Sequence, residues 1–418
     1  MALNFKTFSH IIFYLFPLCL ISGPLLPEII SLLIIIYFLI TTINEKKNFL
    51  YENNFFKLLI VISLFIFVRN FFSDYFSENY LSSIFYFRFT IFALGIYSLD
   101  LTDRSIKIFF FYGILTSFIV LFFDASYEYL FKDRIFGLNS SYSSRISSFF
   151  GDEYIMGSFI IRLLPLLIFS LLWIDIKETN FILSLYLILL MATILIVLSG
   201  ERTALLLLFI MFSFFILLKR FRAIFFINLI FILLLFITIL QNQDYKNRYL
   251  GFINKNTNES TQIIFYTAEH HSMMLTSVKI IKANFILGSG SKSFKHLCKM
   301  DEFKTITYPS SDIGNEDIGC STHPHNIFLQ IFVEYGLVGI CLYLLIFYKI
   351  ISKIYLNILQ YNRSNLNLFK NASLSLSFLY LALFLNIFPF IPSGNFFNNW
   401  LSIILFLPIG FILSIEKK

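Results

Sequence analysis

Apolar runs of about twenty residues recur along almost the whole chain, and nothing else in the sequence restricts its fold so strongly. A bilayer core about 30 Å thick needs roughly 20 apolar residues per helix. Twelve stretches meet or approach that length: 10–23, 26–43, 56–72, 81–99, 107–123, 155–174, 181–198, 203–218, 223–240, 326–348, 372–391 and 398–415. The first and the eighth are short, as tilted or partly re-entrant segments would be. With 58% hydrophobic and 14% charged residues and a mean hydropathy of +0.78 over 418 residues, the expected class is an all-α polytopic membrane protein. The 56 phenylalanines carry no functional conclusion, because AT-rich coding would also produce them. The first run has no small-residue cleavage site after it and reads as an uncleaved membrane helix.

A net charge of +7 invites a nucleic-acid partner, but the basic residues are scattered through short connections and form no long patch. They fit the positive-inside rule instead. If the N-terminus lies inside, the inside connections collect Lys46, Lys47, Arg104, Lys107, Lys177, Lys219, Arg220, Arg222, Lys349, Lys353, Arg363 and Lys370. The short outside ones keep little beyond Arg69. About twelve spans with both termini cytoplasmic follow. The organisation expected is nine helices in 1–240 with an outside segment at 124–153, a large outside loop at 241–325, and three helices in 326–418. That loop is too long for a plain connection. It carries apolar residues at helical spacing from 261 to 285, which suggests one or two amphipathic helices on the membrane surface.

Cys298 and Cys320 are the two cysteines of the large loop. In an oxidising compartment they would form a disulfide worth on the order of 3 kcal/mol. Neither belongs to a C-x-x-C pair, which argues against a metal site.

Four polar signatures fall on the outside face of this topology. RISSFFGDEYIMG (145–157) brings Arg145, a possible anion ligand, beside Asp152 and Glu153, which suit a helix N-terminus as caps. SGERT (199–203) places Arg202 in a tight turn where Gly200 allows close approach and helix amides adjoin a guanidinium, a good phosphate site. GSGSKSF (288–294) is a glycine-rich turn with Lys292 but lacks the spacing and strand-to-helix setting of a P-loop. HPHNIFLQIFVEYGLVG (323–339) puts His325 at the water–membrane boundary, followed by Asn326 and an apolar run. His323 and His325 lack a convincing third ligand for a metal, with His270 or His271 at most one addition.

Three charges lie inside spans: Arg88, Arg162 and Glu334, each roughly 10–12 Å below the outer surface at 1.5 Å per residue. Such groups are costly unless paired or facing a wet cavity. Glu334 is therefore expected to pair with Arg88 or Arg162, and an unpaired arginine to line a cavity open to the outside.

The combination of RISSFFGDEYIMG, SGERT, a large loop with ILGSGSKSF, and HPHNIFLQIFVEYGLVG resembles the O-antigen ligase and polymerase superfamily of bacterial envelope enzymes. The likeness covers about half the chain, from Arg145 to Phe347. It is most specific in His325, Asn326, Leu329, Gln330, Glu334, Gly336 and Gly339. The resemblance implies a GT-C-like protein of the bacterial inner membrane with its active site facing the periplasm. It implies a donor glycan on undecaprenyl diphosphate, an acceptor hydroxyl on a glycan or lipid A core, a lipid bilayer as setting, no nucleic acid, and inverting transfer without a metal or other cofactor. It also implies His325 as base and Arg202 as a diphosphate ligand. The family's second arginine has no clear counterpart, so Arg248, the lone arginine of the large loop, shares that role with Lys279, Lys282 or Lys292, and Arg145 is a further candidate ligand of the diphosphate. Asn326, Glu334, Asp152, Glu153, Arg162 and Arg88 would support the site. The chemistry fits: a base removes the acceptor proton while cations hold the charge growing on the leaving diphosphate. The rival reading is a twelve-span secondary transporter or lipid-linked sugar flippase. Such proteins usually show two related halves and a long central inside connection, whereas here that connection, 175–180, is short.

Overall fold

The computed structural model describes residues 5–45, 54–77, 85–99, 101, 103–133, 135, 145–250, 268–305, 319–364 and 368–416. Among these residues regular structure is entirely helical. The helices are α1 Phe5–Cys19, α2 Leu25–Glu45, α3 Asn54–Phe71, α4 Arg88–Ser98, α5 Arg104–Phe131, α6 Met156–Trp173, α7 Glu178–Leu198, α8 Arg202–Leu217 and α9 Arg222–Ile239. They continue with α10 Gln243–Leu250, α11 Ala268–Ala283, the short α12 Phe294–Leu297, α13 Ile327–Arg363, α14 Ala372–Asn386 and α15 Asn399–Glu416.

Each of the twelve apolar runs overlaps a helix among the described residues. Seven helical segments are long and apolar enough to cross a membrane, and four shorter apolar helices accompany them. Their sides differ in how far they are covered by protein. The window over Met156–Trp173 is 89% buried and that over Lys219–Ile239 is 22% buried, so α6 is the central pillar and α9 is peripheral. Around α6 pack α5, α7, α8 and α14, while α4 lies between α2 and α15. Leu, Ile and Phe on every side of α6 suit a helix with no water-facing side.

Two boundaries differ from the sequence reading. Helix α5 runs eight residues past Phe123 and stops where Lys132 takes a left-handed conformation (φ 60°). The first part of the segment expected to be an outside loop is therefore helix. It carries the buried Asp124 and Glu128, whose carboxylates accept from the Ser148 hydroxyl (2.5 Å) and backbone amide (2.8 Å). Helix α13 continues to Arg363, well beyond Tyr348, but it is broken at Gly336 (φ 62°, ψ −156°).

That break joins the large loop to the bundle. Carbonyls freed on one side of it accept from loop amides, Ser289 N to Val333 O at 2.9 Å and Gly290 N to Glu334 O at 2.8 Å. Amides freed on the other side donate to loop carbonyls, Leu337 N to Phe285 O at 2.8 Å and Val338 N to Ile286 O at 3.3 Å. Backbone polar groups buried at a helix interruption need such partners. A Cβ on Gly336 would lie 2.4 Å from Ile286 O, and one on Gly288 would lie 2.4 Å from Tyr335 N, so both chains need glycine to approach this closely.

The end of α3 holds the same loop. Arg69 donates to the carbonyls of Leu287 and Gly288, Asn70 exchanges bonds with Ser291, and Ser73 donates to Ser289 O. Helix α11 packs Met273, Ile280 and Ile281 with Phe294, Leu297, Phe303 and Val333 in a small second core, while its Met274 and Val278 stay exposed. The expected apolar positions 264 and 265 lie outside the described residues. Cys298 and Cys320 are joined by a disulfide at the rim of this core.

Candidate functional site

The site grows from two chain turns that each end a helix contact. The first is the α7–α8 turn. Gly200 turns the chain with φ 65°, and Ser199 Oγ accepts from Glu201 N at 3.2 Å. Glu201 is thereby aimed at the start of α6, where its carboxylate accepts from Gly157 N (2.6 Å), Ser158 N (3.2 Å) and Ser158 Oγ (2.6 Å). This satisfies orphan donors of the helix and places a negative charge at its positive end. Burial outweighs these bonds and the nearby Arg145, and pushes the Glu201 carboxyl above its ordinary range. The cap that Asp152 or Glu153 was expected to supply therefore comes from α8's edge. Both acids are exposed, and α6 has no side-chain cap from its own preceding residue.

With Glu201 turned inward, Arg202 turns outward and meets Arg248 from α10. Arg202 Nε donates to Arg248 O at 3.1 Å and Arg248 Nε donates to Gly200 O at 3.0 Å. Tyr245 and Tyr249 pin α10 to the end of α7 through Leu198 O (2.9 Å) and Val197 O (2.7 Å). Arg145 Nη2 donates to Tyr154 O at 2.8 Å, and its guanidinium lies over the Tyr154 ring. Burial, and then Arg145 and Arg202, pull Arg248 down to about 10, which leaves it cationic at neutral pH. Burial is also the main reason that Arg145 is lowered, with Glu201 opposing. Three guanidinium groups close enough to repel one another, with Nε atoms of two given to backbone carbonyls, form a strongly anion-seeking surface. A cavity of about 310 Å³ opens on Arg202, Asp244, Asn247 and Arg248.

The second turn carries the histidines. His325 takes a left-handed conformation (φ 51°), tolerated better by His than by branched residues. Asn326 then caps α13, accepting from Leu329 N at 3.0 Å, while its Nδ2 donates to Pro389 O at 2.8 Å. One turn on, Gln330 Nε2 donates to Asn395 Oδ1 at 2.8 Å and its Oε1 accepts from Phe396 N at 2.9 Å. Ser393 N donates to His325 O at 2.8 Å. Asn326 and Gln330 thus tie the α14–α15 connection to the histidine turn.

Ser321 Oγ lies 3.2 Å from His325 Nε2, and the His325 ring stacks on His270 at 5.4 Å between centroids and lies tilted by 37° against His323 at 4.0 Å. Burial, and then His270, lower the His325 pKa; burial, and then His325, bring His323 to about 4. Both imidazoles are neutral at neutral pH, and a neutral imidazole is a proton acceptor. Among the described residues no group of three or more His, Cys, Asp and Glu is placed to hold a metal ion.

His325, His270, Arg145, Glu153 and Arg162 share the wall of one cavity of about 700 Å³, closed on other sides by the α1–α2 connection, by Phe149 and Tyr154, and by Ser393, Asn395 and Trp400. Seven of the expected residues do not line it: Arg202 and Arg248 line the separate 310 Å³ cavity, Asn326 caps α13, Asp152 is exposed, and Lys292, Glu334 and Arg88 lie elsewhere. Lys292 sits on the loop at the helix break, where its backbone amide bonds to Glu334. The amides of the GSGSKSF turn at Ser289 and Gly290 are bonded to α13, so this turn does not cradle a phosphate with them. Arg88 pairs with Glu28 on α2 at 2.8 Å.

The expected pairing of Glu334 with Arg88 or Arg162 is wrong. Glu334 is fully buried and accepts from Gln330 Nε2 at 3.1 Å. Depth along a span is one coordinate only. The turn at Gly336 and the loop against it give Glu334 local partners, while α2 supplies an acid beside Arg88. Arg162 itself lines the cavity.

Sequence reasoning passed over Glu201, Ser321 and the 389–398 connection. Glu201 stood inside a motif already singled out, and its position before Arg202 at a helix start was the available signal. Ser321 and the connection gave none.

Residues 187–344 match the family model described as O-antigen ligase. Over this stretch the chain is similar to the O-antigen ligase domain. The stretch spans α7 to the early part of α13 and so contains Arg202, Arg248, Lys292, the disulfide and His325. Arg145, Arg162 and the α14–α15 connection complete the cavity from outside the matched stretch. No curated protein matches the chain.

Proposed function

We propose that this membrane enzyme of the O-antigen ligase and polymerase type moves a glycan from undecaprenyl diphosphate to a sugar hydroxyl on the periplasmic face, with inversion at the anomeric carbon. The observation that carries the reading is the common cavity of His325 and Arg145, adjoined by Arg202 and Arg248. His325, neutral and positioned by Ser321, takes the proton of the acceptor hydroxyl as its oxygen attacks the anomeric carbon. The bond to the diphosphate breaks and its electron pair passes to the phosphate oxygen. Arg145, Arg202 and Arg248 hold the charge that grows there, the role a metal ion fills in other phosphate sites. The lipid tail enters between helices while the reacting head stays at the wet mouth.

The test is transfer by the purified protein in lipid vesicles with a polyprenyl-diphosphate-linked glycan as donor. His325→Ala should lower the rate by at least about 10²-fold, the scale of general-base catalysis, with expression and melting temperature unchanged. Wild-type activity should hold from neutral pH down past the ordinary histidine range near 6.5 and fall only where the lowered His325 pKa is crossed, because its proton-free form is the active one. Undiminished transfer by the alanine variant would remove His325 as the base.

A further inference from the structure

Arg162 is a charge that the transfer chemistry leaves unused. It is 5% exposed and stands on the most buried helix of the bundle, α6. Its one hydrogen bond is Nη1 to Ser158 O at 3.4 Å, it makes no ion pair among the described residues, and its Nε is buried without a partner. A buried guanidinium in this condition is strongly unfavourable by itself. The carboxylate whose charge reaches it is Glu201, but the oxygens of Glu201 are taken by Gly157 and Ser158. Glu201 offsets the charge of Arg162 and leaves its donors unused. Arg162 lines the 700 Å³ cavity and a second, smaller one.

We infer that Arg162 is the recognition site for the carboxylate of an acidic sugar bound in this cavity, and so selects uronate-type glycans over neutral ones. The inference rests on the glycan-transfer reading of the cavity. The diphosphate has its own cations in Arg145, Arg202 and Arg248, and Glu201 stands in the field of both Arg145 and Arg162, which disfavours one polyanion bridging the two. A planar guanidinium fork fits a planar carboxylate in bidentate fashion. The rest of the wall suits a sugar ring, with Tyr154 and Trp400 as flat apolar faces and Ser393, Asn395 and Asn398 as hydrogen-bonding groups.

The chain has two tryptophans, so a Trp173→Phe protein reports on Trp400 in the cavity wall by fluorescence. The full chain in detergent would be titrated with a uronate-containing disaccharide, its neutral counterpart and inorganic pyrophosphate. The expected result is at least about tenfold tighter binding of the uronate, the scale of one charge-assisted contact, with that preference abolished by Arg162→Gln and neutral-sugar binding unchanged. Arg162→Lys keeps the charge without the fork and should lower the preference several-fold, which keeps the test informative if the glutamine variant does not fold. Equal binding of the two sugars, a preference surviving in Arg162→Gln, or loss of pyrophosphate binding rather than uronate binding would overturn the inference. Transfer assays separate it from its premise. Uronate binding by a protein that transfers no glycan would refute the transferase reading alone, whereas equal transfer of acidic and neutral glycans, unaffected by Arg162→Gln, would refute the acidic-sugar reading alone.

Discussion

At the scale of single residues, neighbours in sequence divide the work of the site. In SGERT, Glu201 faces inward to cap α6 and Arg202 faces outward to Arg248. Glu201→Ala would strip three accepted bonds from a buried helix start, with an expected loss of about 2–4 kcal/mol, read as a lower melting temperature in detergent. Glu201→Gln keeps an oxygen acceptor and should lose less. A melting temperature unchanged in the alanine variant would show that α6 does not depend on this cap. The histidine and arginine of the site were legible in the sequence because their motifs tie residue type to a helix edge. The partners of Arg88 and Glu334 were not, since they depend on which helix lies alongside.

At the scale of elements, α13 is two helices joined at Gly336, and the loop from Phe285 to Gly290 completes the interrupted hydrogen bonding. A glycine-rich stretch that read as a turn is thus a bracket between the large loop and the bundle, fastened from a third side by Arg69, Asn70 and Ser73. Gly336→Ala combines a left-handed backbone with a Cβ 2.4 Å from Ile286 O. The expected cost is at least about 2 kcal/mol, visible in thermal unfolding and in faster proteolysis of the large loop. An alanine variant as stable and as protease-resistant as the parent would contradict the bracket. A run of apolar residues with two glycines announces a span without saying whether its hydrogen bonds are unbroken, so the sequence showed the helix and concealed its interruption.

At the scale of the molecule, helices α6, α8, α10, α13 and the α14–α15 connection meet at one end of the bundle, and the proposed reaction needs that end to be periplasmic. In a Cys19→Ser, Cys341→Ser background, an impermeant maleimide should label a cysteine placed at Asp152 or Asn395 in intact cells. A cysteine at Lys177 should react only after permeabilisation. The reverse pattern would put the cavity on the wrong side for an exported lipid-linked donor.

The apolar runs alone determined that this chain is a bundle of membrane helices, because a backbone in hydrocarbon must satisfy its own hydrogen bonds and a helix is the structure that does so within one segment. The motifs likewise marked His325 and Arg202. Only the tertiary structure decided that Glu201 is a cap, that Arg162 opens on the cavity of His325, and that the glycine-rich loop mends a broken helix. Each of these depends on distances between segments far apart in the chain, and a local pattern of residue types does not specify them.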